Sequence, residues 1–257
     1  MINPSLSRLW IVAHRGGREL RPENTLAAFK NSIRLGIDMI ETDVRWSKDQ
    51  HLVLIHDRTL ERTTNGFGPV NEFTLKDLQQ LDAGSHFDQK FHRERIPTLE
   101  ELFQIAKNKI KILLDAKGDE AYLHQIVEMV VSYRMEFDVV IGVRSRDALS
   151  IIQRANPAIR RLSFGTPVET AIDIFNAGAD ILRLWGHWSP EELVNQITPN
   201  HKQIWVMAGE PIEEKNGKIT IDELIKYQEA GLHGVILDDP TLWLGREGHS
   251  TSLRSSH

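Results

Sequence analysis

Four short stretches of this 257-residue chain combine residue types suited to chemistry: His14-Arg15, Glu41-Thr42-Asp43, His56-Asp57 and Asp115-Ala116-Lys117. Each stands in or just after an apolar run. Side chains alternate along a strand, so Glu41 and Asp43 share one side, and Asp115 and Lys117 do likewise. With Ile40, Thr42, Val44, Ile112 and Leu114 turned toward covering helices, the charged set faces an interior. Carboxylates crowded there repel one another and lose hydration. A divalent cation relieves both penalties, and oxygen-only ligands favour a hard ion, Mg²⁺ or Ca²⁺, with Mn²⁺ also admissible. Such an ion polarises an oxyanion. Arg15 and Lys117 neutralise and orient an anionic group, one as a fork and one as a point charge. The two histidines, with ordinary pKa values near ~6.5, supply a base for an attacking oxygen and an acid for a leaving one. A metal, cationic side chains and an acid/base pair are what phosphodiester cleavage requires.

Taken singly, each stretch has an ordinary structural reading. Glu-x-Asp suits a solvated strand face, His14 a hydrogen-bonded core position, Arg15 a surface ion pair, and His56-Asp57 a turn in which Asp57 caps the next segment. Four successive strand ends of this kind would be a poor choice for packing alone. His51, His124, His201 and His233 read as surface or loop residues, and the pattern leaves His86, His92 and His187 undecided.

The elements that must hold these residues emerge from the alternation of apolar runs and amphipathic segments. Strands are expected at 9–13, 39–44, 52–55, 110–114, 138–143, 160–164, 180–184, 203–207 and 234–237. Helices are expected at about 24–35, 98–108, 119–134, 146–155, 167–177, 189–197 and 220–230. Thr98, Ser189 and Thr220 open capping signals, and Gly36, Gly178 and Gly231 close helices. Only Arg45–His51 links the second and third strands, too short for a parallel crossover. The third strand therefore returns as an antiparallel hairpin near Lys48-Asp49-Gln50. Eight parallel strands remain, the requirement of a closed (β/α)₈ TIM barrel in ~250 residues; a doubly wound open sheet is the alternative. Barrel sites lie at the C-terminal ends of strands, where the chemical residues stand. Residues 58–97 fit neither element cleanly and read as an inserted loop after the hairpin.

Composition narrows the function classes. Hydrophobic residues make up 40% of the chain, enough for a substantial core, and a single catalytic domain over 1–257 is expected. A net charge of −5 without a Lys/Arg stripe argues against nucleic-acid binding. The absence of cysteine excludes disulfides and thiolate metal sites. No secretory leader is evident and no apolar stretch nears the ~20 residues of a membrane span, so a cytoplasmic protein without stable membrane insertion is expected. The polar tail 245–257 is expected to be disordered.

The stretches "AHRGG…PENTLAAF", "IETDVRWSKDQHLVLIHDRTLERTTNG", Pro-Thr-Leu-Glu-Glu-Leu and "GVILDDP" resemble the glycerophosphodiester phosphodiesterases. The likeness is strong over 10–117, weaker over 118–200, and returns at "QIWVMAG". It implies a (β/α)₈ barrel with an insertion after His-Asp, which fits 58–97. It implies that His14 and His56 are the acid/base pair, that Glu41 and Asp43 hold a metal, and that Arg15 and Lys117 contact phosphate. The implied partner is a small phosphodiester, cleaved to an alcohol and sn-glycerol 3-phosphate. Three positions depart from the family pattern. Asp115 stands where a ligand Glu is usual, shortening the reach by one bond, ~1.5 Å. Trp205-Val206-Met207-Ala208 replaces Trp-Thr-Val-Asn, leaving Trp205 as a substrate wall without a polar neighbour. Arg144-Ser145 replaces Ser-Phe, adding a cation near the mouth that favours a more anionic substrate. Competing readings are a lysophospholipase D or phospholipase C-like enzyme, which Phe67, Phe73, Phe87 and Phe91 in the insertion leave open, and a barrel that binds phosphodiesters without turnover.

Overall fold

Strands that are apolar on both faces suit a parallel barrel, covered outside by helices and filled inside by side chains. The computed structural model describes residues 8–118, 120–164, 171–188, 194, 202–212 and 214–245. Among these, the strands are β1 Trp10–Ala13, β2 Met39–Trp46, β3 Leu52–Leu54, β4 Lys111–Ala116, β5 Val139–Val143, β6 Arg160–Phe164, β7 Ile181–Trp185, β8 Gln203–Met207 and β9 Gly234–Leu237. All but β3 are parallel, and β9 pairs back onto β1 from Trp10↔Gly234 to Ala13↔Leu237, which closes the barrel. β3 pairs antiparallel with the end of β2, Val44↔Leu54 to Trp46↔Leu52. The short link thus makes the expected hairpin, and its pairing draws β2 two residues beyond the expected end.

The helices are α1 Leu26–Leu35, α2 Leu75–Leu78, α3 Leu99–Ala106, α4 Leu123–Ser132, α5 Arg146–Ala155, α6 Ala171–Asn176 and α7 Ile221–Glu229. Thr98 and Thr220 cap α3 and α7 with reciprocal side-chain bonds from Glu101 and Glu223, satisfying otherwise orphaned donors. The helix expected at 189–197 lies outside the described residues apart from Val194, as do the start of the one expected at 167–177 and the tail beyond Gly245. Among the described residues, no helix is long and apolar enough to cross a membrane.

Alternation along the strands makes two apolar layers. Ile40, Val44, Ile112 and Leu114 pack outward with Phe29, Leu102 and Phe103 from the helices, as the sequence pattern implies. Val12, Met39, Leu113, Leu162, Trp205 and Ile236 fill the barrel itself. Above this filling, the register sets Asp43 beside Asp115 across β2 and β4. The segment 58–97 carries short helical turns and a small core of its own, in which Leu60, Val70, Leu78 and Ile96 pack on Val53 and Ile55.

Candidate active site

The chain leaves β1 by a turn that aims two side chains and one amide into the barrel mouth. Arg15, Gly16 and Gly17 take left-handed backbone angles, with φ of 48°, 83° and 91°. Gly16 is required there, since a Cβ would lie 2.9 Å from Ala28 Cβ and from the Phe29 ring. Arg15 holds an unfavourable conformation that the surrounding bonds enforce. Its amide donates to Glu41 Oε2 at 2.7 Å, its Nη1 donates to Glu23 Oε1 at 2.9 Å, and its Nε lies 3.8 Å from Asp43 Oδ2.

Each histidine is oriented by a carboxylate. His14 Nδ1 lies 2.7 Å from Asp238 Oδ1, at the end of β9, and Arg18 Nε donates to Asp238 Oδ2 at 2.8 Å. Burial pushes the His14 pKa down to about 4; Arg15 and Arg18 act in the same direction, and Asp238 offsets only part. Burial alone would raise the Asp238 carboxyl, but His14 and Arg18 hold it below the usual range. With Asp238 ionised, the shared proton sits on Nδ1 and Nε2 keeps its lone pair, an assignment made from the bonding partners. His56 Nδ1 lies 2.7 Å from Asp57 Oδ1, so Asp57 orients its neighbour rather than capping a helix. Arg62, from the 58–97 segment, donates to Asp57 at 2.7 Å and grips both Glu23 oxygens at 2.8 Å. Arg45 secures the His56 carbonyl through Nε at 2.9 Å and Nη2 at 2.7 Å.

Glu41, Asp43 and Asp115 are buried and bring one oxygen each within 4.8 Å of the others. Burial, then the charges of Asp43 and Asp115, raise the Glu41 carboxyl well above its ordinary pKa. Burial works the same way on Asp43, but Lys117, His56 and Arg15 outweigh it and keep that group ionised. Lys117 Nζ reaches Asp43 at 3.1 Å and Asp115 at 2.5 Å. Arg144 clamps both oxygens of Asp115, at 2.6 and 2.8 Å. Asn24 Nδ2 donates to Asp43 Oδ2 at 2.9 Å while its carbonyl accepts from Thr42. Three converging oxygen donors, one of which must otherwise hold a proton, fit a hard divalent cation.

These groups line a cavity of about 150 Å³, walled farther round by Phe164, Arg183, Trp185 and Met207. Of the residues singled out from sequence, His14, His56, Arg15, Lys117, Glu41, Asp43 and Asp115 all border it. Trp205 does not. It is 1% exposed in the barrel filling, with its ring against Gly234 and its Nε1 donating to Gln203 at 3.1 Å, and Met207 takes the cavity position two residues on. His86, His92 and His187 are absent from the lining, His51, His124 and His233 likewise, and His201 lies outside the described residues.

Residues 14–173 match the model of the glycerophosphoryl diester phosphodiesterase family. The chain belongs to this family. A glycerophosphodiester phosphodiesterase of Caldanaerobacter subterraneus is 33% identical over 90% of this chain and 94% of its own length. The Bacillus subtilis protein YhdW is 49% identical over 90% of this chain and 95% of its own. Among solved structures, an Oleispira antarctica phosphodiesterase in complex with the product sn-glycerol-3-phosphate superposes with a TM-score of 0.78 at 25% identity, over 91% of this chain and 94% of that one. A glycerophosphodiester phosphodiesterase from Agrobacterium tumefaciens gives 0.76 at 26%, over 91% and 98%.

Several residues that complete the site escape a reading of the sequence. Asp238, Glu23 and Asn24 sit inside stretches that carry the family resemblance, and Asp238 ends a strand, a signal equal to that of Asp115. Arg62 lies in a polar run within one of those stretches and Arg18 in a polar run between two of their parts, and neither run marks a role. Arg183 interrupts the apolar Ile-Leu-Arg-Leu-Trp of β7, and that interruption is the one clue to it.

Proposed function

We propose that this chain hydrolyses glycerophosphodiesters to an alcohol and sn-glycerol 3-phosphate, using a divalent cation and His14 and His56 as the proton-transfer pair. The carrying observation is that two histidines, each fixed at 2.7 Å by its own carboxylate, open on the same cavity as the three converging carboxylates. Binding alone needs no such pair. Glu41, Asp43 and Asp115 would hold the cation, which when bound supplies Lewis-acid polarisation of a phosphoryl oxygen. Mg²⁺, Ca²⁺ and Mn²⁺ all suit the oxygen donors.

His14 acts as the base in this reading. Its lowered pKa, about 4, keeps the imidazole neutral at neutral pH, and Asp238 stabilises the imidazolium that forms. Nε2 removes a proton from the attacking water molecule as its oxygen bonds to phosphorus. The bond from phosphorus to the alcohol oxygen breaks, and protonated His56 returns a proton to that oxygen. Asp57 holds the His56 ring in place through the bond at Nδ1, which leaves Nε2 facing the cavity side. Lys117 and Arg15, at the floor of the site, draw the phosphate toward the carboxylate cluster and balance its charge. The barrel and its 58–97 segment work as one catalytic unit, because Arg62 of that segment ties Asp57 to Glu23.

The test is turnover by EDTA-stripped protein after separate return of Mg²⁺, Ca²⁺ and Mn²⁺, with glycerophosphocholine and glycerophosphoethanolamine as substrates and sn-glycerol 3-phosphate as readout. Metal-restored hydrolysis is expected, and His14→Ala and His56→Ala each lower kcat by ~10²-fold or more without lowering Tm. Absence of turnover with every metal, or a histidine variant with near-wild-type kcat, overturns the assignment and turns attention to lysolipid substrates or to a binding barrel.

A further inference from the structure

Arg183 projects from β7 into the catalytic cavity and has no hydrogen-bond or ion-pair partner among the described residues. It is 7% exposed, and its Nη1 is fully buried and unbonded. Its guanidinium carbon lies 4.4 Å from the Trp185 ring centre and 5.3 Å from that of Phe164. The aromatic faces recover part of the lost hydration, and no more than part. Burial draws its pKa down to about 10, so the group remains a cation at neutral pH. Arg144 lies against the same Phe164 ring at 4.7 Å. Two guanidiniums thus share one ring at the end of the cavity where β5, β6 and β7 finish.

Among the described residues that line the cavity, cations outnumber carboxylates. Its lining carries Arg15, Lys117, Arg144 and Arg183 against Glu41, Asp43 and Asp115. A divalent ion adds two positive charges and a phosphodiester removes one. Behind the lining, Glu23 and Asp57 share Arg62, and Asp238 faces Arg18, so the balance stays positive. The same polarity continues outward, because Arg144 and Lys117 also border a groove of about 370 Å³ lined by Arg45 and Arg58.

We propose that Arg183, with Arg144 beside it, forms an anion subsite within the catalytic cavity, and that the preferred glycerophosphodiester carries a second anionic group, a carboxylate or a further phosphate, on one of its two alcohols. This deepens the hydrolytic reading and rests on it. A buried fork donor whose faces are packed by aromatic rings presents its N–H edge to a planar or tetrahedral oxyanion, the geometry that arginine recognises best. The rival role is charge compensation, in which Arg183 offsets the carboxylate cluster from a distance and serves every substrate alike.

The experiment compares kcat/KM of the metal-loaded enzyme for three substrates. Glycerophosphoethanolamine is the reference, glycerophosphoserine differs by one carboxylate, and bis(glycerophospho)glycerol brings a second phosphodiester. The wild type is expected to favour at least one anionic substrate by about tenfold, mainly through KM. Arg183→Gln brings that ratio close to parity, and Arg183→Lys restores part of it. The two anionic substrates separate a carboxylate from a phosphate as the recognised group. A wild-type ratio at or below parity overturns the subsite, as does an Arg183→Gln variant that loses the same factor on all three substrates. Should Arg183→Gln fail to fold, the wild-type ratio and Arg183→Lys decide. Turnover of glycerophosphoethanolamine without anionic preference removes the subsite alone, whereas no turnover of any substrate with any metal removes the hydrolytic reading beneath it.

Discussion

Glu41 is the carboxyl whose protonation couples most directly to metal binding. Burial and two neighbouring carboxylates raise its pKa well above the ordinary value of 4.5. The native metal-free protein therefore holds a proton that the unfolded chain has already released once pH exceeds the usual carboxyl range. Its stability falls as pH rises through that window, because the unfolded state binds fewer protons there. A cation displaces the proton, so metal affinity rises with pH. Calorimetric titration of Ca²⁺ or Mg²⁺ in two buffers of different ionisation heat is expected to report proton release on binding above the ordinary carboxyl range. Glu41→Gln abolishes that release, and the rise in Tm on adding metal grows from acid to neutral pH in the wild type. A wild-type titration with no proton release would show that Glu41 is ionised without the metal. Glu41, Asp43, Asp115, His14 and His56 could be read from sequence because each lies within or just after a strand-like run. Asp238 depends on a contact 224 residues away from His14, and Arg183 on two rings from different strands, so their positions in the sequence can flag both residues but not what each one does.

The loop between β8 and α7 reaches the active site without contributing a reacting group. Gly217, with φ of 80°, accepts the Asp238 amide at 3.0 Å and donates its own to Ala208 at 2.9 Å. A Cβ there would lie 2.0 Å from Asp238 Oδ1, the oxygen bonded to His14. Gly217→Ala is thus expected to strain the backbone by ~1–3 kcal/mol and to push Asp238 off His14. Both Tm and kcat fall, with the kcat loss about tenfold or more. Gly36, at the end of α1, supplies the control, since its φ of 69° carries similar strain but no atom lies within 4 Å of a Cβ. Gly36→Ala lowers Tm and leaves kcat unchanged; equal kcat in both variants would detach Gly217 from the catalytic histidine. At this scale most of the pattern was readable. A seven-residue link forced the hairpin, and capping threonines marked α3 and α7. The segment 58–97 was unreadable because its small core draws on Val53 of β3 and on Ile55 just beyond it rather than on any period of its own.

The barrel as a whole separates an apolar filling from a charged mouth, and composition hides that division. A chain with a net charge of −5 carries a cavity lined by four cationic side chains, so charge totals, which argue against nucleic acid, do not reveal the basic mouth. Trp205 tests where the boundary lies. The family resemblance makes it a wall of the substrate site, yet its ring packs on Gly234 in the filling beneath the cavity, and Met207 stands above it. The Gly-to-Trp pairing across β8 and β9 explains the fit, since any Cβ at 234 would lie 2.9 Å from the indole. Trp205→Phe removes part of that filling, and large-to-small changes in a core cost transfer energy plus a cavity. The variant is expected to lose ~1–3 kcal/mol, read as a Tm lower by roughly 2–8 °C. KM for glycerophosphoethanolamine stays within error, because no substrate atom need reach the indole. A severalfold rise in KM at unchanged Tm would return Trp205 to the substrate wall and move the floor of the site one layer deeper into the barrel.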